Sequence, residues 1–136
     1  MRSTKYFLFP VLFFFMFIAS CDLGDDPLDP SDPRDKFLGQ WKVNESCQRG
    51  NYMSNIKADP GNSAQVLIEN FGNPGPGYDD AVGLVSTNYI YVSSQTIGEG
   101  WTVSGKGTYQ TDGSISWDYT LIIGASQLDC TALYTY

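Results

Sequence analysis

The chain has 136 residues, a mass of 15.0 kDa, a net charge of −7 and a pI near 4.2. One domain is the natural reading of that length, and 15% aromatic against 17% charged residues excludes a disordered chain. There is no basic stripe to neutralise phosphates and no histidine at all. Nucleic-acid binding, histidine-based nucleophile triads and imidazole metal sites are thereby excluded.

The chain opens with a processing segment, residues 1–20. Arg2 and Lys5 give a positive start, and the apolar run Tyr6–Ala19 follows, interrupted only by Pro10. At about 14 residues this run is short for a transmembrane helix, which needs about 20. It ends Ile18-Ala19-Ser20-Cys21, which resembles the lipobox of bacterial lipoproteins. The resemblance implies cleavage before Cys21, acylation of that cysteine and anchoring of the chain to a membrane of the cell envelope. An ordinary secretory signal with an incidental cysteine is the alternative.

Residues 21–36 read as a tether. Asp22–Asp35 holds six Asp, three Pro and one Arg in fourteen residues, too polar to bury a core. Acids just after the lipidated cysteine resemble the surface-export signals of Bacteroidetes lipoproteins, which implies an outer-membrane, surface-facing address. In the enterobacterial system Asp22 implies retention at the inner membrane instead, so both leaflets stay open. Calcium binding by the Asp run lacks the turn glycine that an EF-hand loop needs.

From residue 37 to 136 the pattern becomes short alternating runs divided by turn residues. Eight strands are predicted: Gln40–Gln48, Tyr52–Ala58, Ser63–Phe71, Ala81–Ser86, Tyr89–Thr96, Trp101–Gln110, Ser114–Ile123 and Leu128–Tyr136. Asn51–Lys57 has a short helix as its alternative. The loop Gly72–Asp80 is rich in breakers, and Asp112-Gly113 suggests a type I′ hairpin turn. The clearest inward face is Ile115, Trp117, Tyr119, Leu121 and Ile123. Gly105 and Gly107 fall on the face of Trp101, Val103 and Tyr109, where glycine suggests a bend or close packing beneath an aromatic ring.

Apart from Cys21, two cysteines remain, and in an exported chain such a pair reads as a disulfide. Cys47 lies near the end of the first strand and Cys130 near the start of the last. If these strands are neighbours and antiparallel, the bond staples the seam of an all-β, antiparallel, eight-strand up-and-down barrel. Closing so long a loop is worth ~4–5 kcal/mol in the chain-entropy model. A seven-strand β-sandwich is the rival architecture.

Gly39-Gln40-Trp41 at the opening of the first strand resembles the Gly-x-Trp signature of lipocalins and related calycins. That resemblance implies a barrel whose Trp41 plugs one end and whose mouth takes a small apolar ligand. No arginine follows Arg49, so the arginine that packs on this Trp from a late strand in that family is missing. Lipobox, acidic tether, FLGQWKVNESC and a late Cys together resemble small lipocalin-like lipoproteins of Bacteroidetes.

No catalytic constellation, cofactor motif or metal-ligand spacing emerges, and a non-enzymatic role is expected. The candidate ligand-binding residues are Trp41, Glu45, Trp101, Tyr109 and Trp117. Glu45 shares a face with Trp41, Val43 and Cys47 on strict alternation. A β-bulge near Asn44–Ser46 or a wet rim would turn it to solvent; the sharper alternative is an inward carboxylate that orients a ligand. Asp79 and Asp80 read as solvated turn residues or a loop cation site, and Glu69 and Lys106 as surface charges. Tyr89, Tyr91, Trp101, Tyr109 and Tyr134 offer either a sugar-stacking platform or core packing. Two roles follow: a binding module for a small apolar or amphipathic ligand or a glycan, or an accessory lipoprotein contacting other envelope proteins.

Overall fold

The computed structural model describes residues 32–47 and 50–136. The processing segment, Cys21 and the tether as far as Ser31 lie outside the described residues, as do Gln48 and Arg49. After one 3-10 turn at Asp35–Phe37 come β1 (Gly39–Glu45), β2 (Asn51–Ala58), β3 (Gln65–Glu69) and β4 (Ala81–Ser86). Then follow β5 (Tyr89–Gly98), β6 (Trp101–Tyr109), β7 (Ile115–Ile123) and β8 (Ser126–Thr135). Each strand pairs antiparallel with the next, and β8 returns to β1, closing an eight-strand up-and-down barrel. The second strand is a strand and not a helix, which removes the seven-strand sandwich.

Period-two alternation builds the core. Trp41, Val43, Ile56, Val66, Ile68, Ile90, Val103, Ile115, Leu121 and Tyr134 all point inward and are at most 1% exposed. The partners on the opposite face meet water, as one wall of a small barrel requires. Gly107 is fixed by this packing: a Cβ there would lie 2.7 Å from Cε2 of Trp117, so the indole of β7 lies over the bare backbone of β6. The glycine pattern anticipated that contact.

The seam holds by backbone pairing and by a covalent bond. Lys42 to Glu45 face Thr135 to Ala132, and beyond them the Ser46 N–H donates to the Thr131 carbonyl at 2.9 Å. Cys47 and Cys130 are disulfide-bonded there, with Cα atoms 5.5 Å apart.

Both ends are covered. At the end where the chain enters, Phe37 is fully buried against the edge of Tyr109, and the Trp41 indole N–H donates to the Phe37 carbonyl at 2.8 Å. Tyr136 lies on Trp41 with ring centroids 4.1 Å apart; a C-terminal tyrosine is the group that packs there from the last strand. Asp32–Lys36, read from sequence as the end of the tether, are also part of this closure. Arg34 pairs with Asp32 at 2.6 Å and reaches the carbonyls of Asn62 and Gln65, both at 3.2 Å.

Two local details depart from expectation. The Asp112-Gly113 turn is not type I′, since only Gly113 has positive φ; the Asp112 carboxylate accepts from the Ser114 N–H and hydroxyl instead. In β5 the register slips between Val92 and Gln95. There the Gln95 carboxamide bonds both the N–H and the carbonyl of Val82, at 2.7 and 2.9 Å, replacing lost ladder bonds between β4 and β5.

Candidate functional site

The opposite end of the barrel holds a group of buried polar side chains. Alternation runs without a bulge through β1, so Glu45 points inward and is 9% exposed. The expected turn to solvent is therefore overturned: β1 stays paired to β8 as far as Glu45, and that pairing enforces the strand's parity. Across the seam Glu45 faces Ala132, and Ala132 faces Trp117. Tyr119, opposite Cys130, donates its hydroxyl to the Glu45 carboxylate.

Deeper in the barrel, the Ser54 hydroxyl donates to the Glu69 carbonyl at 2.7 Å. The Tyr134 hydroxyl lies against Ser54 and Tyr52. Burial, then the nearby Tyr52, pushes the Tyr134 hydroxyl well above the usual phenol range, although Ser54 acts to lower it. It stays protonated through neutral pH. The Trp117 indole N–H is buried and meets no acceptor among the described residues.

Phe71 covers this group from above. It lies two residues past the end of β3, is 1% exposed, and packs against Trp117 and Tyr119 with ring centroids 5.0 and 5.1 Å away. Gly72 makes the insertion feasible: its φ is +76°, and a Cβ would sit 2.8 Å from Cδ2 of Leu121. The inward side chains pack on one another as one buried cluster. A depression of about 430 Å³ lies instead on the outer face, between Lys42, Asn44, Asn51, Met53 and Thr135.

The candidate ligand-binding residues separate. Glu45 and Trp117 share the polar interior near the loops. Trp41 and Tyr109 belong to the closed end, and Trp101 packs against Tyr78 at the opposite rim, centroids 5.4 Å apart. Sequence reasoning passed over Phe71 and Tyr119 as site residues. Alternation already placed Tyr119 inward, but its pairing with Glu45 requires the closed seam. Phe71 is expected at the end of the third strand, on the face opposite Val66 and Ile68, whereas β3 ends at Glu69 and leaves it in the connection that follows.

No sugar-stacking platform forms from the five aromatics named. Tyr134 is inside, while Tyr89 and Tyr91 lie outside beside Lys106, whose ammonium is 4.1 Å from the Tyr89 ring centroid. Asp80 pairs with Lys57 at 3.1 Å and Glu69 lies 3.6 Å from the same ammonium, so these are surface ion pairs. Among the described residues no three His, Cys, Asp or Glu side chains group as metal ligands. No family model, curated protein or solved structure matches the chain.

Proposed function

We infer that the chain is a membrane-anchored envelope lipoprotein whose barrel is a non-catalytic binding module for a small amphipathic molecule. The single observation that carries the binding role is the Glu45–Tyr119 pair inside the barrel. A carboxylate is costly to bury, and an apolar side chain of similar volume serves a purely structural core as well or better. Its place beside aromatic rings suits a ligand with an apolar body and one polar group.

Glu45→Gln tests this role. It preserves volume and removes the charge, so thermal or denaturant unfolding should show equal or raised stability. Binding of cationic or hydroxylated ligands should weaken. A variant that loses stability and leaves binding unchanged would make Glu45 a structural group.

The anchor rests on the lipobox. Cys21→Ser should abolish incorporation of a fatty-acid analogue and leave the precursor unprocessed or the protein released as a soluble form. A variant that stays acylated and fully membrane-bound would refute the anchor.

One observation favours the accessory role: the inward side chains form one buried cluster, while Met53, Leu84 and Leu133 are 45–49% exposed on the outside of the barrel. Such side chains suit contact with envelope proteins, although single exposed apolar residues are common on any surface.

A further inference from the structure

Where inward side chains pack as one cluster, a ligand needs something to leave. We propose that Phe71 is a resident plug, and that the ligand displacing it is a small ring bearing a hydroxyl group. The ring would take the place of the Phe71 phenyl between Trp117 and Tyr119, and the hydroxyl would turn toward Glu45 and the Trp117 indole. This deepens the binding-module reading and rests on it.

Three observations converge. The first is chemical. The Phe71 ring meets Trp117 and Tyr119 at 5.0 and 5.1 Å, a cradle already shaped for one aromatic ring. Just around that cradle lie polar atoms a phenyl group cannot use. The Trp117 N–H is buried without an acceptor among the described residues, and such an orphan donor costs stability unless something else accepts from it. The Glu45 carboxylate accepts from the Tyr119 hydroxyl, which shows that this part of the interior receives O–H donors. A hydroxyl group both donates and accepts, so its chemistry suits either group.

The second is mechanical. Phe71 sits at the start of the connection between β3 and β4, the residues 70–80. This connection is longer than the hairpin turns elsewhere in the barrel. Asn70, Gly72, Asn73, Gly75 and Gly77 all have positive φ. The segment belongs to no strand ladder, so it can swing without opening the sheet.

The third is spatial. An open hollow of about 400 Å³ lies between this connection and the edge of β2 and β3, lined by Met53, Glu69, Asn70, Gly75, Tyr78 and Asp80. The segment has room to move on its outer side. Its first part, residues 70–77, is tied to the barrel beside Phe71 by the Asn70 amide, which donates to the Met53 carbonyl at 3.0 Å. The firmer ties lie at its far end and make that end a fixed hinge: the Tyr78 ring on Trp101, the Asp79 N–H to the Ile97 carbonyl at 2.7 Å and the Asp80–Lys57 ion pair.

The test titrates p-cresol and its apolar counterpart toluene into the unacylated mature chain, whose barrel core lies wholly within residues 32–136. The readout is the Trp117 indole N–H resonance, assigned by its loss in Trp117→Phe. In the unsubstituted chain p-cresol should bind saturably and shift that resonance, and toluene should bind more weakly. Phe71→Ala removes the competing plug and should tighten p-cresol binding by about tenfold or more, since a site blocked most of the time loses apparent affinity in proportion. Phe71→Leu keeps the core filled in case the alanine variant unfolds, and should tighten binding to a smaller degree. Glu45→Gln should bring p-cresol affinity down toward that of toluene.

Saturable p-cresol binding that is indifferent to both Phe71 variants would overturn the plug and leave the binding module standing. Equal affinity for toluene and p-cresol in every variant would overturn the hydroxylated-ring ligand. No binding to the unsubstituted chain or to either Phe71 variant would overturn the site itself.

Discussion

Trp41→Ala should destabilise the barrel by about 3–5 kcal/mol, the range for removing a large aromatic side chain from a packed core. Trp41 is fully buried, so the truncation leaves a cavity at the closed end. It also strips the Phe37 carbonyl of the indole N–H that bonds it at 2.8 Å, and removes the ring beneath Tyr136. Chemical unfolding followed by fluorescence of the two remaining tryptophans, Trp101 and Trp117, measures the loss. Trp41→Phe separates the components: it restores most of the apolar contact but not the hydrogen bond, whose removal costs about 1–3 kcal/mol when an acceptor stays buried. A loss under about 1 kcal/mol for the alanine variant would mean that the closed end does not depend on this plug. Neither variant should affect ligand selectivity directly, because Trp41 lies at the end away from Glu45 and Phe71.

Replacing Cys47 and Cys130 together by alanine should cost about 2–5 kcal/mol, the usual range for a native bond in a small exported domain. The two residues are 83 apart in sequence, so the bond restricts much of the unfolded chain. The location makes the effect specific. β1 and β8 are the first and last strands described, and their pairing is what closes the barrel. Without the bond, protection of the β1–β8 amides against hydrogen exchange should fall more than that of β6–β7, whose register runs unbroken over nine residue pairs. Uniform loss across all strands would show that the bond stabilises only through the unfolded chain. Because Glu45 lies two residues before Cys47, loosening of the seam should also weaken the Glu45–Tyr119 contact.

The sequence by itself determined the all-β class and pointed to a seam, while the choice between an eight-strand barrel and a seven-strand sandwich waited on the fold. Period-two alternation is local, so Ile115, Trp117, Tyr119 and Leu121 declared their inward face without reference to any neighbour. Two cysteines, one at the end of the first strand and one at the start of the last, suggested which edges could meet, and the β1–β8 pairing makes them meet. Gly107 signalled the ring that lies over it, because a missing Cβ has meaning wherever strands carry aromatics. The direction of Glu45 needed more. Alternation and a bulge predicted opposite faces, and the choice depended on pairing with β8, a strand more than eighty residues away in the chain. Phe71 was hidden for a different reason. The predicted third strand runs on to Phe71, and its alternation puts that ring on the face opposite Val66 and Ile68. The strand instead stops at Glu69, and only the folded barrel provides Trp117, Tyr119 and the bare backbone of Gly72 that receive it. The same holds for Arg34 and Tyr136: each is unremarkable in sequence, and each gains its role from carbonyls or a ring that the closed sheet brings to one end. Local periodicity thus specifies which way a strand faces, while long-range register decides which polar groups come together inside.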